Sequence, residues 1–148
     1  MAGVTSEELR ARTMRFAVRV VRFCRTLPDT WEARRIGGQM IDAGTSVAMN
    51  YRSATRGRSR AEFIAKLGIV VEEADESVGW LELIGQVDLA RGPEYGWLLR
   101  EAGELLAIFA KAQKTAKENN RREVAASPTL KIDRTSPNRK SPVSAETP

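Results

Sequence analysis

The stretch that decides the fold runs from residue 59 to residue 85 and reads SRAEFIAKLGIVVEEADESVGWLELIG. It opens with Ser59-Arg60-Ala61-Glu62, which has the form of a capping box, because a hydroxyl is followed three residues later by a carboxylate. The apolar residues that follow recur at steps of three and four, which predicts a helix with one buried face. That face is expected to contain Phe63, Leu67, Val70 or Val71, Ala74, Val78, Leu81 and Ile84.

Two segments before this stretch carry the same periodicity. Thr5-Ser6-Glu7-Glu8 has the form of a second capping box and predicts a helix over about residues 5–27, which Pro28 ends. Asp29 is expected to cap a helix over about residues 30–56. Three glycines in that helix lower its intrinsic stability and are interpreted as points of close approach to a neighbouring helix: Gly37, Gly38 and Gly44.

A fourth helix is predicted over about residues 93–117, because Pro93 suits a first helical turn. Antiparallel helices joined by short loops most simply form an up-down-up-down bundle. An all-α four-helix bundle of residues 1–117 is therefore predicted, with the third helix over about 59–85. Residues 118–148 contain four of the six prolines and few large apolar residues, so a disordered Ser/Thr/Pro-rich tail is expected there.

The residue types that are missing argue against catalysis. The chain has no histidine, which removes His-dependent triads and zinc sites with His ligands. The carboxylates of residues 72–76 lack matching ligands on the other helices, so neither a metal nor another cofactor is expected. The single cysteine, Cys24, is interpreted as an inert core residue. With no recognisable nucleophile, base or phosphate loop, a non-catalytic protein is predicted.

The hydropathy pattern predicts a cytoplasmic protein. No run of about 18 apolar residues is present, so a membrane span is not expected. The first twelve residues lack the charged-then-apolar order of a secretory signal.

Charge is distributed unevenly along the chain. Residues 1–60 contain 12 Lys and Arg against 5 Asp and Glu, whereas residues 61–116 contain 5 against 10. Four arginines of the first helix recur at spacings of three, four and three, which predicts one exposed stripe opposite the apolar face: Arg12, Arg15, Arg19 and Arg22. A second cluster is expected at the loop after the second helix: Arg56, Arg58 and Arg60.

Three interpretations of these arginines stay open. They suit a nucleic-acid surface, because a guanidinium group binds phosphate through two donors and neutralised phosphates release counterions. They equally suit contact with the acidic helices of a neighbouring subunit, in a protein-only scaffold or adaptor. The third interpretation is an ordinary solvated face.

Four polar residues lie near the predicted buried stripes of the second and third helices: Gln39, Ser46, Asn50 and Glu76. Buried amides and hydroxyls need hydrogen-bond partners, and in bundles they often fix register or oligomer choice. Glu76 is expected to be a partly buried pairing partner. A structural or oligomer-specifying role is therefore predicted for all four.

Several motifs together resemble a known family. They are Gln39-Met40, Ser46-Val47, Asn50, Gly57-Arg58-Ser59, Glu62-Phe63 and the stretch 72–83. From about Phe16 to Leu106 the sequence resembles the bacterial four helix bundle protein family, some members of which are encoded in intervening sequences of large-subunit ribosomal RNA genes. It departs from many members at Ser53-Ala54, where they have Glu-Gly, and at Asp42, where they have arginine.

This resemblance implies a homopentamer of up-down bundles. It also extends to the accessory variability proteins of diversity-generating retroelements, which implies association with RNA and with a reverse transcriptase. Together with the uneven charge, it predicts a bacterial, homo-oligomeric accessory protein that binds RNA or DNA or joins a ribonucleoprotein.

Overall fold

Four helices make up most of the folded chain, as the sequence predicts. The computed structural model describes residues 3–128. The helices are α1 (Ser6–Cys24), α2 (Trp31–Ala54), α3 (Arg60–Gln86) and α4 (Pro93–Ala126), and this described range contains no strand. The all-α prediction is confirmed. None of these four helices has the combination of length and apolar character that crossing a membrane requires.

The helices form a four-helix bundle in which each one packs on two neighbours: α1 on α2, α2 on α3, α3 on α4 and α4 on α1. The side-chain contacts give the directions of the helices. Arg12 contacts Glu101 and Arg19 contacts Glu94, so α1 and α4 are antiparallel. The same arrangement holds for α2 and α3, because Ser53 near the end of α2 contacts Lys66 near the start of α3.

Apolar side chains from all four helices fill the space between them. Fully buried side chains include Phe16 of α1, Met40 of α2, Leu81 of α3 and Phe109 of α4. Burial of a side chain of this size contributes about 1.5–3 kcal/mol relative to exposure, so this shared core stabilises the bundle. At its edge, burial raises the pKa of the Cys24 thiol to about 11, which keeps the thiol protonated and unreactive at neutral pH.

Two helices begin at the capping residue predicted from the sequence, and a third begins at the neighbouring residue. Thr5 and Glu8 form a capping box at the start of α1, and Ser59 accepts a hydrogen bond from the Glu62 amide in α3. In α2 the cap is Thr30, whose hydroxyl accepts from the Ala33 amide at 3.2 Å. The prediction of Asp29 as the cap was wrong. Asp29 and Thr30 are both capping residues, and the spacing of the apolar residues does not decide between neighbours.

The fourth helix is longer than the sequence predicts. It ends at Ala126 and not near Lys117, so residues 118–126 are helical and do not belong to the tail. No glycine or proline interrupts residues 104–127, and Ser127 adopts the extended conformation (φ −75°, ψ 122°) that is favoured before Pro128. An ion pair between Arg60 and Glu123 ties the extension to α3. The rest of the predicted tail, residues 129–148, lies outside the described residues.

Candidate nucleic-acid interface

The four arginines of α1 do not form a single exposed stripe. Arg12 and Arg19 lie beside the buried face, each four residues before a buried phenylalanine, and their side chains are only 26% and 32% exposed. Arg15 and Arg22 are exposed, and neither makes an ion pair with any residue in the range 3–128. The predicted position opposite the apolar face was therefore wrong for Arg12 and Arg19.

Arg12 joins α1 to α4 through two carboxylates. Its Nε donates to Glu101 Oε1 at 2.6 Å and its Nη2 donates to Glu101 Oε2 at 3.0 Å, which is the two-pronged geometry that suits guanidinium and carboxylate. Nη2 also donates to Glu104 Oε2 at 2.5 Å. These bonds, led by the one to Glu101, raise the pKa of Arg12. Because Glu101 is buried, Arg12 supplies the positive charge that this carboxylate needs.

Arg19 makes a second link between the same two helices. Its Nε and Nη2 donate to the two carboxylate oxygens of Glu94 at 2.9 and 2.6 Å. The hydrogen bond from Arg19 lowers the pKa of Glu94. The guanidinium carbon also lies 3.4 Å from the centre of the Trp97 ring, a cation–π contact. Two of the four arginines of α1 are thus engaged by α4 of the same chain.

Positive charge without an ion-pair partner among the described residues also gathers around the loop between α2 and α3. Four cationic side chains line a groove of about 400 Å³ there, together with Met49, Ser53 and a single acid, Glu62. We call these cations the basic cluster: Arg52, Arg56, Arg58 and Lys66. None of the four makes an ion pair within the part of the chain that the structure describes, and Lys66 Nζ donates to Ser53 Oγ at 2.5 Å.

The cluster differs in membership from the one predicted. Arg56 and Arg58 belong to it, whereas Arg60 points to Glu123 and pairs with it. Arg52 was missed, although its position four residues before Arg56 places both on one side of the helix predicted over residues 30–56. Lys66 had no signal in the sequence, because it joins the cluster only where α3 crosses the end of α2.

The amino-acid sequence from residue 7 to residue 111 matches the family described as 23S rRNA-intervening sequence protein. The chain belongs to this family. The matched range covers nearly all of α1, all of α2 and α3, and α4 as far as Lys111. The family resemblance seen in the sequence is confirmed.

A solved structure supports the same relationship. It is a protein of unknown function from the S23 ribosomal protein family of Bacteroides thetaiotaomicron VPI-5482. It is 28% identical to this chain, and the alignment covers 74% of this chain and 97% of the other with a TM-score of 0.68. A comparison with curated proteins gives no significant match.

The four polar residues of α2 and α3 with a predicted structural role lie outside the fully buried core of the single chain. Gln39 is exposed beside Arg35 and Trp80, and the Asn50 amide donates to the Ser46 carbonyl at 2.9 Å within α2. Glu76 is also exposed, contrary to its expected partial burial. The neighbouring Ser77 is buried instead, because the buried face of α3 includes position 77 and not position 76. Its hydroxyl donates to the Glu73 carbonyl at 2.8 Å.

Acidic residues gather where α2 and α3 meet. Desolvation raises the pKa of Glu73, and the negative charges of Glu76, Glu72 and Asp42 raise it further. No group of three His, Cys, Asp or Glu residues within positions 3–128 is arranged to hold a metal ion. This chain therefore has a basic surface at the end of α2 and an acidic surface where Asp42 of α2 faces the carboxylates of α3.

An apolar strip is exposed between α1 and α2. Met14, Val18 and Met49 are 37%, 40% and 52% exposed, and they line a groove of about 370 Å³. Arg22 and Arg25 border the same groove. Exposed apolar surface bordered by polar side chains is typical of protein–protein contact sites.

Proposed function

We propose that this protein is a non-catalytic, homo-oligomeric accessory protein that binds RNA, and that its basic cluster contacts the RNA backbone. One observation carries the proposal: four cationic side chains surround one acid, and none of them is ion-paired within the described residues. Such a cluster attracts a chain of phosphates, since each neutralised phosphate releases counterions. We propose RNA as the nucleic acid because the family description refers to an intervening sequence of 23S rRNA.

The arginines of α1 have different roles in this proposal. Arg12 and Arg19 hold α1 against α4, because their guanidinium groups are already occupied by carboxylates. Arg15 and Arg22 are exposed and keep their proposed role as phosphate contacts. A reverse transcriptase as the protein partner, and five as the number of subunits, rest on the sequence resemblance alone.

The test is fluorescence-anisotropy titration of a structured RNA and a duplex DNA across a salt series, with light scattering at each salt concentration. The Arg52→Gln/Arg56→Gln protein should bind RNA more weakly, and the slope of log K against log salt should fall by about 1 for each lost phosphate contact. Arg34→Gln/Arg35→Gln is the matched control. It also removes two exposed arginines, both of α2 and outside the basic cluster, and among the described residues the one ion pair lost is the exposed one between Arg34 and Asp29. Equal losses of RNA affinity in both variants, or no loss in either, would contradict RNA binding by the basic cluster.

A protein-only scaffold is the second candidate, and the exposed apolar strip beside Arg22 favours it. On that alternative, the arginines of α1 meet the acidic helices of the next subunit. Reversal of Arg15 and Arg22 to Glu distinguishes the two functions in the same experiment. A fall in assembly mass indicates subunit contacts, whereas weaker RNA binding at unchanged mass indicates phosphate contacts.

A further inference from the structure

A second, larger groove opens at the end of the bundle where α1 and α3 begin. We call it the end groove; its volume is about 790 Å³, and residues from all four helices line it. The residues that matter below are Tyr51, Arg58, Arg60, Phe63, Asn119 and Glu123. Its size lies in the range of sites that hold small organic ligands. Arg58 lines both the end groove and the groove of the basic cluster, so the two are adjacent.

Tyr51 supplies a polar group inside the end groove that the fold itself does not use. The side chain is only 4% exposed, and its ring packs on Phe109 with the ring centres 5.0 Å apart. Its hydroxyl makes no hydrogen bond with any residue between positions 3 and 128, and because no unpartnered side-chain oxygen of this range is fully enclosed, the hydroxyl oxygen is accessible from outside. The hydroxyl is therefore available to a ligand in the groove.

The charge of the end groove favours an anion. Its charged lining consists of Arg58, Arg60 and Glu123, and Arg60 neutralises Glu123 by direct pairing. The cation left without an ion pair among the described residues is Arg58.

The remaining lining suits a ring system. Phe63, Ala54 and Ala116 provide apolar surface, and the Asn119 side chain offers both an amide donor and a carbonyl acceptor. An aromatic base with a phosphate attached needs this combination of an apolar wall, a few polar groups and a cation at the mouth. Inorganic phosphate alone would use only the cation.

We propose that the end groove binds one nucleotide of the RNA that runs across the basic cluster. Arg58 holds the phosphate, the base lies against Phe63, and the Tyr51 hydroxyl hydrogen-bonds to the base or the ribose. This inference rests on the proposed function for the source of the nucleotide, since Arg58 belongs to both surfaces.

Calorimetric titration of the full-length protein with adenosine 5′-monophosphate, adenosine and inorganic phosphate tests the groove directly. The monophosphate should bind at least about tenfold more tightly than either fragment, since it alone engages both Arg58 and the apolar wall. Tyr51→Phe keeps the ring on Phe109 and removes only the hydroxyl, and it should weaken monophosphate binding about tenfold with helicity and mass unchanged. Arg58→Gln should weaken it as well, whereas Arg34→Gln, at the opposite end of α2 from the end groove, should not.

Competition identifies the source of the nucleotide. Structured RNA should displace the bound monophosphate from the wild-type protein. Monophosphate binding without displacement by a bound RNA would overturn the link to RNA and leave a site for free nucleotides. Equal binding of all three small ligands, or full affinity in Tyr51→Phe, would overturn the groove itself while leaving RNA binding by the basic cluster intact. Failure of the wild-type protein to bind RNA, with monophosphate binding retained, would overturn the proposed function and the RNA as the source of the nucleotide, and would leave the end groove as a site for free nucleotides.

Discussion

Glu101 is a buried carboxylate of α4, and its partner explains why some arginines are not available to RNA. Removal of a charge from water costs several kcal/mol, which a well-placed opposite charge offsets. Arg12 provides that charge with two hydrogen bonds. The sequence carried a signal for this, because Arg12 precedes Phe16 by one helical turn and so lies next to the core. It did not reveal that Glu101 lies opposite, since that depends on the rotation of α1 against α4.

Glu101 and Glu104 both pair with Arg12 but differ in their exposure, and this difference gives a matched test. Glu101→Gln should lower the free energy of unfolding by about 1–3 kcal/mol, because it leaves the partly buried Arg12 poorly compensated. Glu104→Gln removes the same charge from the same partner, but Glu104 is 63% exposed and the loss should stay below about 1 kcal/mol. Urea denaturation at one fixed protein concentration measures both. Equal losses would contradict a special role of Glu101.

Helix α2 depends on close packing against α1, and its glycines divide by their surroundings. A Cβ atom at Gly44 would lie 3.0 Å from both Cγ atoms of Val20, and one at Gly37 would lie 3.3 Å from Leu27 Cδ1. A Cβ atom at Gly38 would meet nothing within 4 Å. The interpretation of the glycines as points of close approach to a neighbouring helix is thus confirmed for Gly44 and wrong for Gly38, while Gly37 lies close to Leu27 in the loop after α1.

Alanine substitution at two of these positions should therefore act in opposite directions. Gly38→Ala should raise the free energy of unfolding by about 0.5–1 kcal/mol, because alanine has the higher helix propensity and has room there. Gly44→Ala should lower it by about 1 kcal/mol, since Val20 is fully buried and overpacking outweighs the gain in propensity. Thermal unfolding followed by circular dichroism would show the two midpoints on either side of the wild type. A rise in both would mean that Val20 moves without cost.

The limits of prediction at this scale have physical causes. Four helices followed from hydroxyl caps, proline positions and periodicity, all of which are local. The end of α4 did not, because the apolar stripe stops near Ala112 while the helix continues, solvated, until Pro128 forbids it. The candidate site was predictable where cations cluster in one loop, as at Arg56 and Arg58. Lys66 and Tyr51 became part of it only through the packing of separate helices.

Opposite charges pair between α1 and α4, whereas like charges lie close together between α2 and α3. Arginines of α1 meet carboxylates of α4, whereas Glu72, Glu73 and Glu76 of α3 lie near Asp42 of α2. The uneven charge of the sequence is therefore cancelled in part within one chain. Two surfaces keep an excess of one charge: the basic cluster at the end of α2, and the acidic surface formed by Asp42, Glu72, Glu73 and Glu76.

The acidic surface around Glu73 predicts how the free energy of unfolding changes with pH. The pKa of Glu73 is raised in the folded protein, so its ionisation opposes folding at any pH above that pKa, and the penalty vanishes below the pKa of the unfolded chain. Glu73→Gln should therefore raise the free energy of unfolding at pH 7 by about 0.5 kcal/mol, through relief of like-charge pairs. The difference from the wild type should close near pH 3, where unfolded glutamates are protonated. Denaturation at both pH values measures it, and a difference that persists at pH 3 would assign the effect to another cause.

Four antiparallel helices return the polypeptide to the side from which it set out. Ser6, at the start of α1, and Glu123, near the end of α4, line the same groove. A reporter fused directly before Ser6 or directly after Ala126 would therefore sit beside the end groove and obstruct what it holds. The turn between Gln86 and Pro93 lies at the far end of the bundle, so a fluorophore inserted there leaves the groove open. The same proximity makes the bundle of residues 6–126 suited to circular permutation, with a short linker joining Ala126 to Ser6 and new ends opened in that turn.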